Sequence, residues 1–203
     1  GAIPNQNLHR IGTSDVDMII VYHPEFAEAT EKLAKHRREF SSLKVETVSV
    51  NEVYNEFSSG KKDPAAIRDF ARMVYDRTAS FKYFLLVGDG SFDAKDIYEL
   101  GSNFVPVYET ASFKPLDAFP SDDFYGVLNG TNPGDPLAGD LNISVGRLPV
   151  KTSQEAFNAV NKIMNYDLDP QTFTDWRNRL VFVGDDEDGS RHTRDADGIA
   201  KMV

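Results

Sequence analysis

Apolar residues in this chain gather into short continuous runs, and the stretches between them carry apolar residues at helical spacing. Met18 to Tyr22 (MIIVY) is the first run, as a strand buried on both faces requires, and His23-Pro24 ends it. From Glu25 to Phe40 the residues Phe26, Ala29, Leu33, Ala34 and Phe40 fall near helical spacing, with Lys35, His36, Arg37 and Arg38 loading the last turn where the helix dipole favours cations. Leu43 to Val50 (LKVETVSV) alternates apolar with polar, which predicts a strand nearer a sheet edge, followed by a short turn or helix. Asp63-Pro64 opens the next helix with a capping acid and a proline at its first position, and Ile67, Phe70, Ala71, Val74 and Tyr75 form its buried face. Tyr83 to Val87 (YFLLV) predicts a buried strand stopped by GDGS, and Ile143 to Val145 another, closed by GRLP. Thr152 caps a helix with Ala156, Val160, Ile163 and Met164 on one face, and Leu180 to Val183 (LVFV) predicts a last strand ending in GDDEDG.

Strands alternating with helices predict an α/β fold: a doubly wound, mostly parallel sheet with helices on both faces. The stretch from Ser91 to Asp140 is too long and too rich in Pro, Gly and aromatic residues for a simple crossover, and it is read as an insertion holding a hairpin, with Val105 to Glu109 as one strand. Residues 1–15 read as an extended segment and 16–203 as one α/β subdomain. Gly1-Ala2 before the extended IPNQN and the barely begun helix at Ala196 to Val203 read as marks of a cut, so the natural chain is expected to continue past Val203.

Charge and composition narrow the chemistry. A formal net charge of −10 with no basic stripe repels nucleic acid and anionic lipid. No apolar run reaches the roughly eighteen residues of a membrane span, so no membrane insertion is expected of this segment. There is no cysteine, which excludes disulfides, thiolate metal sites and a thiol nucleophile within these 203 residues.

Open parallel sheets bind ligands beyond the carboxyl ends of their strands. Asp89 and Asp93 follow one predicted strand, Arg147 another, and Asp185, Asp186, Glu187 and Asp188 the last; SDDFYG adds Asp122 and Asp123 from the insertion. Such acids also cap helices and close turns. Clustered carboxylates suit a hard cation such as calcium, yet GDDEDG lacks the alternating oxygens of an EF-type loop. GDGSFD has neither the third glycine of a dinucleotide turn nor the lysine of a phosphate loop. The histidines His9, His23 and His36 are scattered, while His192 lies just past the acidic loop where it could meet a substrate.

Three stretches in order resemble the catalytic domain of the gingipain family of bacterial cysteine peptidases: KYFLLVGDGSFD (Lys82 to Asp93), SDDFYGVLNG (Ser121 to Gly130), and ISVGRLPVKTSQEAFNAVNKIMNYD (Ile143 to Asp167) followed by WRNRLVFVGDDEDG (Trp176 to Gly189). IPNQNLHR, VYHPEF and the DDEDG loop look most like the cell-surface peptidase, or sortase, of the type IX secretion system in Bacteroidetes. The resemblance implies a caspase-like α/β/α domain of two subdomains, of which this chain matches the first, with the histidine and cysteine pair expected beyond Val203. It further implies an exported protein at the outer membrane or cell surface that processes carboxy-terminal secretion signals. Its partners would be polypeptide substrates, the downstream catalytic subdomain and secretion-system components, and no cofactor would be required.

Arginine-cleaving members of that family hold the substrate's basic side chain with an acid shortly after the last-strand loop. The matching region here contains His192, with Asp185, Asp186 and Asp195 as neighbouring alternatives for substrate binding. Asp89, Asp93, Asp122, Asp123 and Arg147 are expected along the cleft at the strand ends. Two rival readings are a degenerate peptidase-like module that binds a partner in a secretion apparatus, and a calcium-binding domain centred on Asp185 to Asp188.

Overall fold

The computed structural model describes residues 5–93, 97–98, 101–110, 118–130 and 135–202. The chain forms two compact units, Gly1–Met164 and Asn165–Val203. The first holds a four-stranded parallel sheet of β1 (Met18–Tyr22), β2 (Val45–Ser49), β3 (Tyr83–Val87) and β6 (Ser144–Leu148), in the order β2-β1-β3-β6. A two-stranded antiparallel ribbon joins β4 (Tyr108–Glu109) to β5 (Pro120–Ser121) within the insertion. The fold class is thus the expected one, and the hairpin is present, though its first strand is shorter than Val105 to Glu109.

Each central strand sends alternate side chains to opposite faces, as a strand buried on both sides must. Ile19, Val21, Phe84 and Leu86 pack against α2 (Val50–Phe57) and α3 (Pro64–Tyr75) through Val53, Ile67, Phe70 and Val74. Met18, Ile20 and Val87 pack on the other face against α1 (Ala27–Phe40) and the first turns of α4 (Ser153–Leu168), through Leu33, Ala34, Ala156 and Val160. The helices start where their caps dictate. Asp63 accepts from the Ala65 amide at 2.8 Å, the Thr152 hydroxyl accepts from the Glu155 amide at 3.2 Å, and Ser49 and Glu52 form a capping box.

β2 lies at the edge, as its alternating pattern predicts, and Arg38 covers part of that edge by donating from Nε and Nη2 to the Val45 carbonyl at 3.1 and 2.9 Å. The amino-terminal segment is tied down as well: a 3₁₀ turn at Leu8–Arg10 buries Leu8 and Ile11 in the core, and Glu56 accepts the Leu8 amide at 3.1 Å.

Three expectations are corrected. Ile143 to Val145 understates β6, which runs on through Gly146 to Leu148, so Arg147 sits inside the strand rather than after it. Leu180 to Val183 forms no strand: none of the described residues pairs with it, and these side chains are 65, 75, 40 and 90% exposed. An apolar run becomes a strand only with a neighbour to hydrogen-bond. The terminal helix begins well before Ala196, as α5 (Glu187–Ala200), with a left-handed break at Asp188, Gly189 and Ser190.

Within the second unit, the turn after α4 is organised by Arg177. Its guanidinium lies 3.8 Å over the Tyr166 ring and 4.1 Å over Phe173, and it donates to the carbonyls of Tyr166 and Thr172.

Candidate functional site

Doubly wound sheets offer a crevice where successive crossovers diverge, here between the carboxyl ends of β1 and β3. The chain's own insertion fills it. Phe104 and Val105 donate their amides to the Asp89 carbonyl, and the Phe104 ring packs 5.0 Å from His23 and 5.1 Å from Phe26. Lys62 adds a hydrogen bond from Nζ to the Asn103 carbonyl. Gly88 makes the close approach possible: its φ of +139° is a conformation that side chains avoid, and a Cβ there would sit 3.0 Å from Phe104 Cβ. Burial outweighs the Glu25 carboxylate and, with Lys62 nearby, lowers the His23 pKa below the ordinary value of 6.5.

The open site lies one strand over. A cleft of about 760 Å³ runs beyond the ends of β3 and β6, lined by Asp89, Gly90, Ser91, Phe92, Ser102, Val107, Glu109, Pro120, Asp122, Arg147 and Lys151. Arg147 builds its wall. From the edge strand, Nε and Nη2 grip both oxygens of Asp122 at 2.7 Å, Nη1 reaches the carbonyls of Gly88 and Val105 at 2.8 and 2.7 Å, and Nη2 reaches Pro106 at 3.0 Å. All the donors of the guanidinium are used, so Arg147 pins the insertion to the end of β3. Tyr125 reinforces the same point with a 2.6 Å bond from its hydroxyl to the Pro106 carbonyl, and burial raises the pKa of that phenol far above its usual range.

Of the residues expected along the cleft, the structure brings Asp89, Asp122 and Arg147 together. Asp93 is buried and accepts the Tyr98 amide at 2.6 Å, and Asp123 uses its backbone to close the turn after Asp122. Both stand outside the cleft lining. Two charged lining residues went unanticipated. Lys151 pairs with Asp89 at 3.3 Å, and Glu109 makes no hydrogen bond or ion pair among the described residues. Lys151 was findable, because β3 and β6 run in register and carry Asp89 level with Val150. Glu109 gave no signal, since nothing in sequence fixes how an insertion folds back.

The remaining candidates belong to the second unit. His192 lies on α5, exposed, with Nε2 3.8 Å from Asp188 Oδ2. Asp185 and Asp186 offer their carbonyls to the hydroxyls of Thr193 and Ser190, and Asp195 lies 3.9 Å from Arg191. Among the described residues, no group of three His, Asp or Glu side chains is placed to hold a metal ion.

The model of peptidase family C25 matches residues 12–203. The chain belongs to peptidase family C25, the gingipain family. Among solved structures, it is similar to dimeric latent PorU from Porphyromonas gingivalis, with 32% sequence identity and a TM-score of 0.75. That likeness covers 95% of this chain and 19% of the PorU chain. Comparison with curated proteins gave no match. In this C25 chain Arg147 ties the turn after β3 and the turn after β5 together at the strand-end cleft.

Proposed function

We propose that this chain is the non-catalytic first subdomain of a gingipain-like cysteine endopeptidase or sortase that processes carboxy-terminal secretion signals at the bacterial cell surface. The observation that carries the proposal is a C25 match across residues 12–203 in a sequence with no cysteine. A cysteine peptidase needs a thiolate activated by an imidazole, and only another part of the protein can supply that thiolate. The likeness to PorU, of which this chain spans 19%, supports the C25 part of this reading.

In this reading the chain contributes a rigid wall. Fixing a substrate strand relative to the nucleophile lowers the entropic part of the barrier, and a wall held by a fully bonded guanidinium does so without rearranging. His192, with Asp185, Asp186 and Asp195 beside it, would contact the substrate near the scissile residue from the α5 region. Polypeptides are the substrates, and no cofactor enters the chemistry of this unit.

The test is a peptidase assay on the complete protein and on the 203-residue chain alone. Activity in the complete protein that iodoacetamide abolishes, with none in the chain alone, is the expected result. Activity indifferent to iodoacetamide would overturn the proposal. A complete protein with no cysteine would also overturn it, and would leave a peptidase-like binding module.

A further inference from the structure

We propose that the cleft beyond β3 and β6 is a peptide-binding site whose preferred ligand is an extended segment with one cationic side chain next to an apolar one. The inference rests on the proposed function only in taking the ligand to be a polypeptide; the selectivity comes from the cleft itself.

Three carboxylates and two cations line it, but they are not equivalent. Asp122 is held by both arms of the Arg147 fork, and Asp89 faces Lys151 at 3.3 Å. Glu109 alone is left over, exposed and without an ionic partner among the described residues. Among the described residues the cleft therefore offers one negative charge without a paired cation, at a defined place. Beside it stands an apolar surface. Phe92 is 61% exposed, its ring centroid 6.1 Å from that of exposed Tyr98, and Val107 and Pro120 continue the patch.

Exposed aromatic surface beside a carboxylate that no described cation pairs favours a ligand that carries a cation and an apolar group together. Phosphate-bearing ligands are disfavoured by Glu109 and by the chain's net charge of −10. A hard cation is disfavoured too, since no three acidic or histidine side chains converge among the described residues. The wall at Val105 and Pro106 is also preformed, because Arg147 and Tyr125 hold their carbonyls before any ligand arrives.

The experiment is an NMR titration of the 203-residue chain with three blocked pentapeptides, Ala-Leu-Lys-Phe-Ala and its counterparts with norleucine or glutamate replacing lysine. The lysine peptide should bind about tenfold tighter than the glutamate peptide, the combined effect of one attractive and one repulsive partly exposed pair. Shifts should centre on Phe92, Ser102 and Glu109. Glu109→Gln should remove the preference while leaving the norleucine peptide unchanged, and Phe92→Ala should weaken all three peptides alike. Glu46→Gln, on β2, should change nothing. Equal binding of the three peptides, shifts centred elsewhere, no binding at millimolar peptide, or a preference that survives Glu109→Gln would each overturn the proposal. No cysteine takes part, so the result stands independently of the thiol assay.

Discussion

Two stretches of this chain share one grammar and reach different ends. YFLLVGD and LVFVGD are both apolar runs closed by glycine and aspartate. Tyr83 to Val87 becomes β3, paired in register with β1 on one side and β6 on the other, and its Gly88-Asp89 turn opens the cleft. Leu180 to Val183 pairs with nothing described and stands exposed, and no amide from 180 to 184 donates to a backbone carbonyl of the described residues. Sequence specifies that a run is able to be a strand; neighbours on its edges decide that it is one.

The largest expected effect breaks the comparison at its core. Leu86→Ala removes a fully buried side chain from β3 and should cost about 3 kcal/mol in urea unfolding of the 203-residue chain. Val181→Ala, at an exposed position, should change stability by less than about 0.5 kcal/mol. Equal losses would mean that the second run is packed as tightly as the first.

Next in size is the clamp that turns the end of β3 into a site. Arg147→Met leaves the Asp122 carboxylate without its fork and three carbonyls without a donor, and should cost about 2–3 kcal/mol, with faster amide exchange in residues 104–109. Lys151→Met breaks only a partly exposed pair and should cost under about 1 kcal/mol. Gly88→Ala falls between them, at roughly 2 kcal/mol, because it forces a side chain into a left-handed conformation against Phe104.

The smallest effect is a pH slope. His23 has a pKa below 6.5 in the folded chain, so between the two values the unfolded chain holds the extra proton. Its contribution is complete above pH 6.5 and is lost as pH falls through that value toward the lower folded pKa. His23→Asn keeps the cap on the Glu25 amide and should flatten this part of the stability profile; thermal melts from pH 7.5 to 5 would measure it.

Much of the fold was legible because its signals are local. The MIIVY and YFLLV runs, the Asp63-Pro64 cap and the Thr152 cap each fix an element with residues that lie next to one another. The site was only half legible. Asp89, Asp122 and Arg147 were found because acids and arginines at strand ends are candidates by position. The role of Arg147 was not, since its partners lie 25 to 59 residues away in the chain. The filling of the β1 and β3 crevice by Phe104, and the place of Glu109, depend on how the insertion returns to the sheet, which no periodicity encodes. Leu180 to Val183 misled for the opposite reason: its local signal for a strand is complete, and the missing ingredient is a partner.

Native-state hydrogen exchange on the 203-residue chain tests most directly the claim that neighbours make β3 a strand and the floor of the site. Amides 84–87 should open only with global unfolding, with protection on the order of 10³ or more, while amides 181–183 should exchange within about tenfold of an unstructured peptide. Comparable protection in the two runs would contradict it.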